Sequence, residues 1–461
     1  MVFLEVVVLF NAIIIVHELG HFLAARWRGL YVEEFGVWFG KPLWKKKING
    51  VVYSLGSIPA GGFVKLPQLA PMEMIEGESE TPAEHLPPIS ALDKIIVAVA
   101  GPLFSFALAV VFACLVWGVG KPVSEQETTT RIGYVEPGSP AEKAGLQPGD
   151  RILEVDGHPV ERFMGMVNSV QWFVVRSEGE TIPFKIERNG KILVRKSHWV
   201  KEKGKAFARS GMRQVHIGPA STPKIESLMD DSPAKASGLK PGDIVTHVNG
   251  KPIFTPGALL DVIEKAPHDP VALKVLRGSE RLDFSVVPKP MVVEKGRPAV
   301  PRLGIQWDPG MTLTYPKPLQ QIVDSVSTIG NMLGALFSSK SDIKARDFSG
   351  PVGIGRIYYA MLINEQGWRL ALWFSVFFNV NLAILNMLPV PVLDGGHVLL
   401  ALIEGIARRP VNRKVLDAVQ SACALLLVGF LLYVTWFDVQ DLAGRSAAGK
   451  EPEKPAQKVQ K

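Results

Sequence analysis

Cysteine is almost absent. The 461 residues include 2, Cys114 and Cys423, each in a strongly apolar run. That excludes a disulfide scaffold and reads both as inert residues of membrane helices. Charge is thin as well. Asp, Glu, Lys and Arg make up 21% of the chain, a little below the soluble average. The net charge of +7 is too modest for this length to indicate a nucleic-acid partner. What is abundant is apolar surface: 47% of residues are hydrophobic and the mean hydropathy is +0.18. Intrinsic disorder is therefore excluded as the overall state, and a soluble enzyme would rarely show a positive mean. The length suggests about three domains.

Four stretches are apolar enough to span a bilayer, which takes about 20 residues. They run roughly Val2–Ala25, Ile95–Val119, Trp368–Leu388 and Leu416–Phe437. The first has no basic residue before its apolar run and no small-x-small cleavage site, so it reads as a retained helix, not a signal peptide. Arg26, Arg28, Lys41, Lys45, Lys46, Lys47 and Lys65 follow it, and Arg408, Arg409, Arg413 and Lys414 lie between the third and fourth stretches. Both connections are expected on the cytoplasmic side of the inner membrane. The long segment between the second and third spans, and both termini, are then exported. Gln68–Pro88, rich in Pro and Glu, reads as a mobile loop, and Ala447–Lys461 as a disordered tail.

The exported segment repeats itself. Ser139-Pro140-Ala141 through Leu146-Gln147-Pro148-Gly149-Asp150 returns as Ser232-Pro233-Ala234 through Leu239-Lys240-Pro241-Gly242-Asp243, and Val155-Asp156-Gly157 returns as Val248-Asn249-Gly250. Each copy reads as a short helix, a glycine-stopped turn, a strand and a hairpin turn. The period is too long for a solenoid, so these are two domains in tandem. The pattern resembles PDZ domains, which bind peptides by adding a strand to a sheet edge and holding a terminal carboxylate in a backbone nest. Gly118-Val119-Gly120 and Ile217-Gly218-Pro219 are the candidate nests.

The first span ends in His17-Glu18-Leu19-Gly20-His21. Residues four apart share a helix face, so two imidazoles can hold one zinc ion while the intervening Glu serves as general base toward water. Ionisable groups at the centre of a membrane helix cost roughly 2.5–3.5 kcal/mol each, and a metal supplies the partner they need. A further ligand is required. The third span runs into Asn386-Met387-Leu388-Pro389-Val390-Pro391-Val392-Leu393-Asp394. Pro389 and Pro391 free backbone groups, which is tolerated in a membrane only where they are buried in protein or line a wet cavity. On the expected topology both helices run from outside to cytoplasm, so His17, His21 and Asp394 approach one leaflet. His397, three residues on, is expected not to be a ligand, because a catalytic zinc keeps one position open. Between the first two spans, Glu34–Pro42 and Val51–Lys65 alternate apolar residues with glycine bends, including Gly61 and Gly62. They read as membrane-associated β-hairpins with a strand edge able to hold an unwound peptide.

These motifs together resemble the site-2 protease family of intramembrane zinc metalloproteases, of the bacterial regulator of sigma-E protease type. The resemblance covers nearly the whole chain. It implies that His17, His21 and Asp394 bind Zn2+ and that Glu18 activates water. Asn381 and Asn386, with Pro389, Pro391, Gly61 and Gly62, become candidates for substrate binding or site support, the asparagines alternatively serving as helix-packing groups. It implies single-pass membrane protein substrates already cut on the exported side, such as anti-sigma factors or remnant signal peptides. Ser349–Ile354 also matches a motif of this type. One departure stands out: such proteases usually read G-P-x-x-N in the second helix, and here Gly101-Pro102-Leu103-Phe104 is followed by Ser105.

The expected fold is thus a polytopic α-helical membrane protein with four transmembrane helices, two exported β-rich PDZ-like domains and a membrane-associated β-hairpin region. The boundaries read as helix 1 with H-E-x-x-H at 1–26, the hairpin region at 27–93, helix 2 at 94–119, the PDZ domains at 120–211 and 212–295, a connecting segment at 296–367, helix 3 with the L-D-G motif at 368–397, a cytoplasmic loop at 398–414, helix 4 at 415–438 and a tail at 439–461. Expected partners are membrane protein substrates, peptide ligands of the PDZ domains and the lipid bilayer, without nucleic acid. Two alternatives remain at this level: a non-catalytic membrane scaffold that gathers peptides through the PDZ pair, and a tethered peptidase acting on soluble peptides.

Overall fold

A computed structural model describes residues 2–69, 85–201, 211–292, 298–339, 341–364, 366–409 and 411–448. Most of the Gln68–Pro88 stretch and nearly all of the Ala447–Lys461 tail lie outside the described residues. The chain divides into two units. One holds residues 1–121, 315–330 and 345–461, the other residues 122–314 and 331–344.

In the first unit, α1 (Val2–Arg28) leads into a four-stranded sheet of β1 (Glu34–Phe39), β2 (Trp44–Ile48), β3 (Val51–Leu55) and β4 (Ile58–Lys65), in the order β2-β3-β1-β4. Only β2 and β3 form a simple hairpin, turning at Asn49-Gly50. β1 pairs parallel with β3 and antiparallel with β4. Ala25, Leu30, Val32, Val51, Val64 and Val97 form the core that fastens the sheet to α1 and to the start of α2 (Ala91–Val119). β4 then runs back along α1, where the Asn11 amide donates to the Pro59 carbonyl at 3.1 Å. A sheet edge thereby lies beside the middle of an apolar helix.

After residue 314 come α3 (Pro318–Phe337), whose residues from 331 on fall in the second unit, then α4 (Pro351–Leu362), α5 (Gly367–Asn386), α6 (Asp394–Ala407) and α7 (Arg413–Ala448). Among the described residues four helices are long and apolar enough to cross a membrane: α1, α2, α5 and the Lys414–Leu442 part of α7. Their outward faces carry large exposed hydrophobics, such as Leu103, Val111, Leu426 and Leu432, which suits lipid contact. α1, α5 and α6 all pack on α2. Tyr358 of α4 is fully buried against α1 and α5, and its hydroxyl meets Ser375 at 2.9 Å. The Ser349–Ile354 motif is the entry to α4. The backbone N–H groups of Gly350 and Gly353 donate to the buried Asp438 carboxylate of α7 at 2.9 and 2.8 Å. A carboxylate is favoured there because the first N–H groups of a helix have no partner within it.

The second unit contains the repeat. In each copy a four-stranded antiparallel sheet has the same order. It comprises Lys191–His198, Thr181–Arg188, Arg151–Val155 and His158–Pro159 in the first, and Glu280–Val286, Val271–Arg277, Ile244–Val248 and Lys251–Pro252 in the second. Ser139 and Ser232 cap the two short helices, accepting from Glu142 and Lys235 N–H. Ile132, Ala141, Leu146, Ile152 and Val155 are buried in the first copy, and Ile225, Ala234, Leu239, Val245 and Val248 at the matching positions of the second.

The strand that closes each copy comes late. Ile217–Pro219 pairs with Ile132–Val135, and Ile305–Trp307 with Ile225–Leu228. Both lie past the ends that sequence sets for the two domains, 211 and 295. Of the two candidate nests, Ile217-Gly218-Pro219 is such a closing strand. Gly118-Val119-Gly120 is instead the end of α2, where Gly120 N–H is spent on the Val116 carbonyl. The counterpart of Ile217-Gly218-Pro219 in the second copy is Ile305-Gln306-Trp307. His216 and Gly304, just before the two closing strands, both have positive φ, 61° and 73°.

Candidate metal centre

Three side chains from two elements converge in the first unit. His17 and His21 lie one helical turn apart on α1, and Asp394 opens α6. Their donor atoms lie within 4.8 Å of one another, and they form the one such cluster found among the described residues. The two Nε2 atoms are 3.3 Å apart. Asp394 Oδ2 is 3.2 Å from His17 Nε2, and its Oδ1 is 3.3 Å from His21 Nε2. Ligands about 2.0–2.1 Å from a tetrahedral zinc stand roughly 3.3 Å from each other. The His–His separation and the approach of each His to a carboxylate oxygen, Oδ2 for His17 and Oδ1 for His21, are of that size, so the donor set fits zinc.

The imidazoles are aimed by α2. His21 Nδ1 donates to the Val97 carbonyl at 2.8 Å, and His17 Nδ1 meets Ser105 Oγ at 2.9 Å. Between those contacts, Gly101 leaves the space that the His21 ring fills. Gly20, inside the H-E-x-x-H motif, lets α1 approach the Ala100 carbonyl in the same way.

Asp394 is placed by the break after α5. Pro389 and Pro391 end that helix, and the turn satisfies itself internally, with Val390 N–H on Leu388 O and Leu393 N–H on Val390 O. α6 starts directly against this turn. A side chain at Gly395 would strike the Met387 and Leu388 carbonyls, and one at Gly396 the Val390 carbonyl. What sequence assigns to the end of helix 3 and to a loop at 398–414 is therefore a new helix through Ala407. It is held to α2 by Lys94 and Glu404 at 2.8 Å. A carboxylate in a first helical turn is also favoured by the helix dipole.

The other candidates separate. Asn386 Nδ2 comes to 3.4 Å of His17 Nε2. Asn381 makes no side-chain hydrogen bond among the described residues. Gly62 on β4 faces Glu18, since a Cβ there would lie 3.5 Å from Glu18 Cγ. Gly61 has φ of 84° and packs under the Phe39 ring, so its part is in shaping the strand. His397 is outside the cluster. Sequence reasoning missed Asn11, although a buried amide in an apolar membrane helix is itself a signal.

Residues 5–430 match Peptidase family M50. The chain belongs to this family. Its relatives include the regulator of sigma E protease of Salmonella typhi, 28% identical over 458 residues, covering 93% of this chain and 96% of the relative. RseP of Escherichia coli K12 is 28% identical over 460 residues, with the same two shares. A putative zinc metalloprotease of Vibrio cholerae is 27% identical over 442 residues, covering 90% and 92%. Among solved structures, the HtrA3 PDZ domain bound to a phage-derived ligand is 30% identical over a segment covering 15% of this chain and 64% of that one, with a TM-score of 0.14. This M50 member is a multi-pass intramembrane zinc metalloprotease similar to the sigma-E regulators, and its cofactor is zinc. The non-enzymatic scaffold reading falls with that membership.

Proposed function

We propose that this protease cuts transmembrane segments of single-pass membrane proteins after a first cut on the exported side, with His17, His21 and Asp394 as zinc ligands and Glu18 as general base. The observation that carries the reading is the cluster of His17, His21 and Asp394, its His–His and His–carboxylate separations all 3.2 or 3.3 Å, set among membrane-length helices with the β4 edge alongside. Zinc, when bound, supplies Lewis acidity toward a scissile carbonyl and water. Glu18, on the same helix between the two histidines, takes the proton from water and passes it to the leaving nitrogen.

A membrane helix hides its own peptide bonds, so a substrate must unwind before it is cut. β4 is an edge strand of its sheet, and no described strand pairs with its outer side. An unwound segment can add there by main-chain hydrogen bonds. Gly62 keeps that strand close to Glu18. The basic residues around Lys45–Lys47 and Arg408–Arg409 support placing this site toward the cytoplasmic leaflet and the PDZ tandem on the exported side. Anti-sigma factors and remnant signal peptides are the substrate classes that suit it.

Glu18→Gln tests the assignment. Zinc content should equal that of the wild type, because the ligands remain, while cleavage of a transmembrane peptide in detergent should fall at least ~100-fold. Wild-type turnover by this variant would end the general-base role.

A further inference from the structure

Ser105 stands where proteases of this kind usually carry asparagine, and nothing in its sequence context assigns it a role. It is fully buried, and its hydroxyl lies 2.9 Å from His17 Nδ1. The tautomer of His17 decides what this contact does. A neutral imidazole carries one N–H and one lone pair. If Nδ1 bears the hydrogen, Nε2 presents its lone pair to the point where His21 Nε2 and Asp394 converge. In the other tautomer Nε2 would point a hydrogen at the metal position. A serine hydroxyl can donate or accept, so it is the metal that selects the first arrangement: with Nε2 given to zinc, Nδ1 carries the hydrogen and the Ser105 oxygen is its acceptor.

The neighbouring contact has the same form. His21 Nδ1 can only donate to the Val97 carbonyl at 2.8 Å, because a carbonyl oxygen has no hydrogen to give. Val97, Gly101 and Ser105 follow at intervals of four along α2, hence on one face. That face presents an acceptor, a gap and an acceptor to the two histidines. His17 has no backbone carbonyl in this role, so its orientation depends on the Ser105 side chain.

We propose that Ser105 is a positioning residue for the metal centre, accepting the Nδ1–H of His17 and so holding its Nε2 lone pair toward zinc. The inference rests on the metal-site reading above. It places on a hydroxyl the outer-shell function that carboxylates and carbonyls commonly perform for zinc-bound histidines, where loss of the partner typically costs 10- to 100-fold in metal affinity.

The test uses the full chain in detergent and measures zinc binding by chelator competition, with the visible spectrum of the cobalt-substituted protein as a second readout. Ser105→Ala should bind zinc roughly 10- to 100-fold more weakly and alter the cobalt bands, with unchanged thermal unfolding of the metal-free protein. Ser105→Thr and Ser105→Asn each restore an oxygen acceptor, and recovery of affinity by at least one is expected. If Ser105→Ala keeps wild-type zinc affinity and cobalt spectrum, the proposal is overturned. It is overturned too if the alanine variant unfolds earlier without zinc while its metal affinity stays normal, since Ser105 would then serve helix packing alone. Absence of stoichiometric zinc in the wild type, or its retention by His17→Ala, would instead sink the underlying metal-site assignment.

Discussion

Gly101 shows how tightly single residues constrain this centre. A methyl group at that position would come within 2.1 Å of His21 Nε2 and within 2.7 Å of two ring carbons. Either the ring moves or α1 and α2 part. Gly101→Ala should therefore cost about 1–3 kcal/mol through overpacking and also weaken zinc binding. Gly118→Ala, on the same helix with open space around its position, should lose neither stability nor metal, since alanine is the better helix former. Equal zinc affinity in the two variants, by chelator competition, would refute the steric argument. At this scale the members of the donor cluster were legible: His17 and His21 by their spacing, Asp394 by following a proline break. Their supports were less so. Gly101 and Ser105 lie 80 or more positions from the histidines they touch, and only the crossing of α1 over α2 brings them together.

At the scale of elements, the repeated Leu-x-Pro-Gly-Asp string acquires a physical role. Asp150 and Asp243 each accept a backbone N–H three residues earlier, from Gln147 and Lys240, both at 2.9 Å. Each also receives a two-pronged arginine from a sheet strand, Arg188 or Arg277. The same guanidinium closes on the carbonyl of Gly145 or Gly238, so one ion pair locks the turn to the sheet. Burial opposes ionisation of Asp243, but Arg277 and the Lys240 N–H outweigh it and hold its pKa below the usual carboxylate range. A depressed pKa stabilises the fold above the unfolded value of about 3.9, and that contribution disappears as pH falls through the lower folded value. Amide exchange of the second PDZ domain, taken relative to its intrinsic rate at each pH, should accordingly be insensitive to this group from pH 7 to 5 and quicken below about pH 4. Asp243→Asn should quicken it already at pH 7, by about 2–3 kcal/mol of lost protection, the worth of a charged hydrogen bond. Unchanged exchange in that variant would remove the locking role. The turn was readable in sequence because it is local. The closing strands Ile217–Pro219 and Ile305–Trp307 were not, because they return from far along the chain and their separation departs from the offset of the motif. α3 was missed for another reason: it buries Gln321 and Ser325 while exposing Leu319, Val323 and Val326, the reverse of what hydrophobic periodicity signals in water.

For the whole molecule the open matter is what the PDZ tandem contributes to a protease whose proposed catalytic groups all lie in the other unit. None of the second unit's described residues enters the donor cluster or its hydrogen-bonded supports, so catalysis of a short substrate should not need it. Selection is the remaining role, and it presupposes the proposed orientation. Reporter fusions after Lys47 should accordingly report cytoplasm, and fusions after Gly157 the exported side. Two forms of selection then differ in outcome. If the domains capture a newly exposed carboxyl terminus, removing residues 131–290 should slow cleavage of shortened substrates and admit no full-length ones. If they exclude substrates that still carry a folded exported domain, the same deletion should leave short substrates untouched and let the enzyme cut full-length ones. Exclusion is the stronger expectation, because two folded domains can act by bulk whatever the peptide sequence, whereas capture requires a matching terminus on every substrate. The deletion variant must retain zinc and peptide cleavage for the comparison to count. A variant meeting that condition that still refuses full-length substrates would rule out exclusion, and slowed cleavage of the short ones would point to capture.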